Sequence, residues 1–294
     1  LFRSTSAMDG TNITTAAKIV IDPLSPVVGA RIQGIDWRQP ADEATVAAVR
    51  QAFLKYCVLC FPDQKLAPDD QVRFASLFGT ADAAFRRPPS ENFENGRARG
   101  MMLVTNIRKD GKPIGFLPDG EMQFHSDGAH REVPYLATTL YAIKIPSRGG
   151  ETLFANLQAA YDALPGALQK RLEGLKTRVI YHYDAVNRDA TDENNPNLPV
   201  AIHDLVKVHP ESGRKSLYLS RLMTRNILGM DRAESDALLN QLFDHAEKPE
   251  FVYAHRWVPG DLLIWDNRSL NHARADFPAE EVRLLRRYTV SQGI

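Results

Sequence analysis

The sequence predicts a mainly β protein with helices, an α+β chain whose core is a double-stranded β-helix of the jelly-roll or cupin-like kind carrying helical insertions. Three observations support this. Short β-branched and aromatic runs, bounded by Gly, Pro, Asn or Asp, recur from Ile19 to Ser291. Helical periodicity is confined to the region before Gly79 and to inserted stretches farther on. Candidate metal ligands fall at strand ends, where a double-sheet core brings distant segments together.

Taken in order, Ile19 to Trp37 is rich in Val, Ile, Gly and Pro, with a Pro23-Leu24-Ser25-Pro26 turn, and reads as short strands. Val46, Val49 and Phe53 recur at helical spacing within Ala41 to Lys55, and the apolar run through Phe61 follows as a strand. Ala67-Pro68-Asp69-Asp70 opens a second helix, with Pro in its first turn and acids near the positive end of the dipole; Gly79 stops it. Residues 81–100 have no period and form a long loop, and residues 184–199, with Asn194-Asn195-Pro196-Asn197, form a second. Both are expected near the active site. Met101 to Asn106 and Tyr135 to Ile145 read as strands, Asn156 as the cap of a helix over Leu157 to Leu164, and Pro165 as the start of another. A strand over Arg178 to Tyr183 is followed by an expected hairpin, Ile202 to His209 with Lys215 to Ser220. Asp231 to Glu234 has capping-box spacing ahead of a helix to His245. Phe251 to Trp257, Leu262 to Trp265 and Arg286 to Ser291 close the chain as strands.

At 294 residues the chain suits one large domain, expected over residues 19–294 behind an N-terminal tail of residues 1–18. Met8 is the first methionine, so residues 1–7 are expected to be foreign to the native start. Lys plus Arg and Asp plus Glu are both 36, a balance that points to neither nucleic acid nor a membrane surface as partner. No run reaches the roughly 18 apolar residues that a membrane span needs. The N-terminus also lacks the basic and apolar regions of a signal peptide, so a cytoplasmic protein is expected. Cys57 and Cys60 form a Cys-x-x-Cys inside the apolar run Tyr56 to Phe61, which reads as two small buried hydrophobes.

The chemistry centres on His125-Ser126-Asp127. Residues two apart on an extended segment project to the same side, so this imidazole and this carboxylate can converge on one ion. His272, in Trp265-Asp266-Asn267-Arg268-Ser269-Leu270-Asn271-His272, is the candidate third ligand. Two His and one carboxylate on one side of a metal, with the other positions open, is the facial triad of non-haem Fe(II) oxygenases. A buried, hydrogen-bonded pair is the alternative. Arg283 and Arg287 are four apart and face one side of a strand, Arg286 the other. Two guanidinium groups on an inner face call for anionic partners, and Arg presents a planar fork to a carboxylate. A solvated basic edge strand is the other reading.

With these residues the chain resembles the TauD/TfdA family of Fe(II)- and 2-oxoglutarate-dependent dioxygenases. The resemblance runs from Ile19 to Val290 through Pro23-Leu24-Ser25-Pro26, Asp63-Gln64, Phe78-Gly79, Gly149-Gly150-Glu151-Thr152-Leu153, His209-Pro210, Lys248-Pro249-Glu250-Phe251 and Trp265-Asp266-Asn267-Arg268. It implies Fe(II) on His125, Asp127 and His272, with 2-oxoglutarate held by Thr152, 27 residues after His125, and by Arg283, 11 after His272. O2 is the oxidant, succinate and CO2 are co-products, and a substrate C–H is hydroxylated. It also implies Arg287 as a substrate contact. Because Asp127 is present, the resemblance implies hydroxylation over halogenation.

Departures from the pattern bear on substrate. Glu121 stands where taurine-oxidising members carry Asn, and residues 80–87, ending in Arg86-Arg87, lack their His and Tyr. The expected substrate is a small anion, a sulfonate, carboxylate or phenoxy acid, contacted by Arg287, Glu121, Arg87 and His182, with Phe116, Tyr183 and Leu219 as apolar lining. The remaining histidines read as structural. A homodimer or homotetramer is expected. Two other classes compete: a cupin-like metal-binding protein without turnover, and a zinc hydrolase using the same triad.

Overall fold

The computed structural model describes residues 19–81, 101–116, 120–181 and 195–291. In chain order the first elements are β1 (Val20–Pro23), β2 (Ala30–Gln33), α1 (Glu43–Tyr56), β3 (Val58–Phe61), α2 (Pro68–Ala75) and β4 (Thr80–Ala81). Next come β5 (Met102–Thr105), β6 (Arg108–Lys109), β7 (Lys112–Pro113), β8 (Met122–His125), β9 (Tyr135–Lys144) and β10 (Thr152–Asn156). The middle of the chain supplies α3 (Leu157–Asp162), α4 (Gly166–Leu172), β11 (Lys176–Ile180), β12 (Val200–Asp204), β13 (Val206–Val208), β14 (Lys215–Leu217), β15 (Thr224–Ile227) and α5 (Arg232–Ala246). The last strands are β16 (Val252–His255), β17 (Leu262–Asp266), β18 (Leu270–Arg274) and β19 (Leu284–Ser291).

Two sheets build the jelly-roll core. The larger runs β1-β2-β3-β17-β9-β19-β4, with β5 also pairing β19; the smaller runs β16-β10-β18-β8. Strict alternation explains the larger sheet, whose central strands are buried on both sides. Leu59, Phe61, Leu262 and Ile264 face α1 and α2, while Val58, Cys60, Leu263 and Trp265 face the smaller sheet. Residues two apart thus serve different layers from their immediate neighbours.

The helices form where the sequence signals place them. Asp42 caps α1 by accepting the Thr45 N–H at 2.7 Å, and Thr45, Val49, Ala52 and Phe53 make its buried stripe. The chain leaves α1 at Cys57, whose φ of 62° is a left-handed C-cap. Asn156 and Asp231 cap α3 and α5 as expected. Those helices pack with α4 around Leu157, Leu172, Leu239 and Phe243 into a second apolar cluster outside the two sheets.

Two expectations are corrected. The run from Ile202 is broken at Leu205: β12 turns away to pair with β11, and only β13 and β14 make the hairpin. The fully buried Leu205, drawn into the helical cluster, divides the two strands. The strand foreseen at Arg178 lies earlier, as β11, and β15, which joins it, has no counterpart in the sequence reading. Among the described residues no helix is long and apolar enough to cross a membrane.

Candidate active site

The small sheet brings two of the expected ligands side by side. His125 ends β8, and His272 is its cross-strand partner on β18, their rings 4.1 Å apart. Asp127 follows two residues beyond β8, and donor atoms of the three lie within 4.8 Å of one another. The Nε2 atoms of His125 and His272 stand 3.8 and 3.7 Å from the Asp127 carboxylate oxygens.

Burial and hydrogen bonding set the charge of each donor. Nδ1 of His125 lies 2.9 Å from the Gln123 carbonyl, so it carries the proton and leaves the Nε2 lone pair facing the triad. Desolvation lowers the pKa of both histidines, and for His272 the His125 charge adds to it. Nδ1 of His272 is buried with no partner among the described residues. Burial alone would raise the Asp127 carboxyl, but Arg287, both histidines and Thr138 hold it well below the usual range. Two neutral imidazoles and one anionic carboxylate, with open space on one side, fit a divalent metal of the iron type.

Beside the triad lies a cavity of about 680 Å³ that includes His125, Asp127, His272, Thr152, Arg283 and Arg287. Arg283 is 2 % exposed, and among the described residues its guanidinium donates to the Gly150 carbonyl alone, at 3.2 and 3.3 Å. Burial, reinforced by Arg274, pushes its pKa down to about 9, and no described carboxylate pairs with it. Because a guanidinium keeps its proton, that shift expresses a demand for an anion. The backbone makes room for the contact: Gly150 has φ of 70°, and a Cβ there would meet Arg283 Nε at 3.1 Å. The Thr152 hydroxyl accepts the indole N–H of Trp257 at 3.0 Å, which leaves its own proton to give. These groups fit the far carboxylate of 2-oxoglutarate. Arg286, facing the opposite side as expected, donates to Gln71 on α2 and to the Leu66 carbonyl.

Arg287 reaches the cavity, but its Nη2 lies 2.7 Å from Oδ1 of Asp127, so its charge is shared with a ligand carboxylate. Glu121 is exposed and does not line the cavity; the chain turns at Gly120, with φ of 75°, before β8 begins. Arg87, His182 and Tyr183 lie outside the described residues. Leu219 belongs to the helical cluster and Phe116 lines the cavity.

Several cavity residues escaped the sequence reading. His130, expected to be structural, lines the cavity and stacks on Tyr181 at 5.1 Å, and Arg131 donates to the Tyr135 hydroxyl at 2.7 Å. Their position just after the His-x-Asp was the available signal. Met102, Tyr181 and Pro199, which flank the two long segments, also line the cavity. A further cluster, Cys60, His255 and Asp261, has metal-like composition. There Asp261 accepts from His255 Nε2 and the Val258 N–H, both at 3.0 Å, and His255 Nδ1 meets the Tyr253 hydroxyl at 3.1 Å. The cluster therefore fastens the turn between β16 and β17.

A jelly-roll core with a His-Asp-His triad and a buried Arg opening on one cavity defines a non-haem oxygenase that takes an anionic co-substrate. The chain belongs to the family described as taurine catabolism dioxygenase TauD, TfdA family, which it matches over residues 21–289. It is 34% identical over 282 residues to a (S)-phenoxypropionate/alpha-ketoglutarate-dioxygenase of Sphingobium herbicidovorans, covering 90% of this chain and 92% of that one. It is 32% identical to an alpha-ketoglutarate-dependent 2,4-dichlorophenoxyacetate dioxygenase of Cupriavidus pinatubonensis, covering 92% and 97%. Among solved structures, AAD-2 in complex with Mn(II) and N-oxalylglycine superposes with a TM-score of 0.76 at 31% identity, over 94% of this chain and 98% of that one. The protein is thus an Fe(II)- and 2-oxoglutarate-dependent dioxygenase, an oxidoreductase acting on a small molecule.

Proposed function

We propose that this dioxygenase hydroxylates a small organic acid with an apolar body, with aryloxyalkanoic acids the first candidates. The supporting observation is the cavity: Met102, Val104, Phe116, Met122, Leu140 and Met223 offer an apolar wall, with arginines set into it. The phenoxy acids in the relatives' names have this two-part character.

In this reading His125, Asp127 and His272 bind iron on one side and leave the cavity side open. Thr152 and Arg283 hold 2-oxoglutarate, and Arg287, which lines the cavity between Asp127 and Met102, orients the substrate anion. Fe(II) and 2-oxoglutarate, when bound, would supply the electrons that activate O2, one oxygen atom going into succinate as CO2 leaves and the other into the hydroxyl on the substrate. The apolar wall excludes water and places one C–H toward the metal. If that carbon also bears an ether oxygen, the hydroxylated product collapses with cleavage of the C–O bond.

Succinate release with Fe(II) and 2-oxoglutarate, in the presence of aryloxyalkanoic acids, sulfonates and their neutral amides, tests this reading. Stimulation by acids over amides, greatest for aryloxy acids, is expected. Equal stimulation by acid and amide would sink the anionic substrate.

A further inference from the structure

Asp127 is gripped at both oxygens. Arg287 occupies Oδ1 from the cavity side, and Thr138 donates its hydroxyl to Oδ2 at 2.7 Å from inside the larger sheet. Thr138 is wholly buried at the centre of β9, paired in register with Trp265 on β17 and Thr289 on β19.

The direction of this last hydrogen bond is fixed two residues away. The Trp265 indole N–H, which can only donate, gives to Oδ1 of Asn267 at 3.1 Å. That contact decides which way the Asn267 amide points, a choice otherwise open for an amide. Its Nδ2 therefore donates to the Thr138 Oγ1, at 3.0 Å. With one lone pair taken, the hydroxyl proton of Thr138 is left to the carboxylate. Ser126, between the two ligands, anchors to the Asn267 backbone carbonyl at 2.7 Å, tying the ligand segment to the same corner. Trp265, Asn267 and Thr138 are each 1 % exposed or less, which strengthens the bonds among them.

We propose that Thr138 is a positioning residue of the metal centre: the chain from Trp265 through Asn267 ends at its hydroxyl, which holds Oδ2 of Asp127 and thereby fixes how that carboxylate faces the metal. This rests on the triad as the metal site. Hydrogen bonds to ligand carboxylates of this kind matter for affinity as well as for geometry.

The test is Mn(II) binding to the metal-free full-length protein by calorimetry, alongside thermal unfolding of each metal-free variant. Thr138→Val keeps the shape and removes the hydroxyl, and we expect Mn(II) affinity to fall by about 10- to 100-fold. Thr138→Ser should restore most of it. Thr139→Val is the control, because its hydroxyl, equally buried on the same strand, bonds Gln71 and the Tyr288 carbonyl. That variant should lose stability without losing Mn(II). Should Thr138→Val fail to fold, Thr138→Ala carries the same comparison. Wild-type affinity in Thr138→Val, or equal losses in the Thr138 and Thr139 variants, would overturn the proposal. Failure of the wild type to bind Mn(II) would instead overturn the metal site itself.

Discussion

Arg283 is the residue whose environment states its purpose most plainly. A guanidinium that is 2 % exposed, bonded to one carbonyl and pushed down in pKa by burial, destabilises the empty site until an anion arrives. Truncating one member of a buried charge pair costs about 2–5 kcal/mol. Arg283→Ala is accordingly expected to raise the KM for 2-oxoglutarate by about 30-fold or more, with Arg283→Lys between the two because an ammonium loses the fork. Uncoupled succinate formation against 2-oxoglutarate concentration measures this. An unchanged KM would remove Arg283 from the co-substrate site. The position was legible because two arginines four apart share a strand face, and because 11 residues separate it from His272. Thr138 was not legible. A threonine in a β-branched run is ordinary strand composition, and only cross-strand register brings it to Asp127.

Among the elements, the corner from β17 to β18 carries the chain from the larger sheet to the smaller. Asp266, 1 % exposed, accepts both arms of Arg268 at 2.9 and 2.7 Å and Nε2 of His209 at 2.9 Å. His209 is held as donor there because its Nδ1 accepts the Glu211 and Ser212 N–H groups. Burial would raise the Asp266 carboxyl, but the Arg268 and His209 bonds hold it below its ordinary 3.8. A carboxylate depressed in the folded state stabilises above its unfolded pKa. Its contribution is therefore complete at neutral pH and is lost as the medium falls below about 4. Asp266→Asn leaves Arg268 with Glu211 as its remaining carboxylate partner and should cost about 3 kcal/mol at pH 7, read by denaturant unfolding, with the difference shrinking in acid. A loss that is independent of pH would assign the effect to packing. Trp265-Asp266-Asn267-Arg268 stood out in the sequence as part of the family resemblance but not as a corner, and the bent course of β12 to β14 gave no sign at all, since strand propensity runs unbroken across Leu205.

At the scale of the whole molecule, the three larger of the four apolar clusters among the described residues account for why alternation and caps revealed the architecture so readily. Strands buried on both sides leave little freedom in register, and the helices cover what remains. Cys57 and Cys60 lie in the layer between the sheets, 2 and 1 % exposed, and burial raises both thiols, Cys57 to about 12. Neither is expected to react with a thiol reagent at pH 8 in the native protein, whereas both should react after denaturation. Rapid native labelling would mean that this layer opens.

The pairing of His125 with His272 has a mechanical side. β8 is the outermost strand of the smaller sheet, and its register with β18 slips just past His272. An ion shared by those two rings is a rivet through the last seam of the sheet. It holds the border strand β8 onto β18, whose own edge would be bared if β8 lifted away. Loss of iron is then expected to loosen that seam at the same place where it ends turnover.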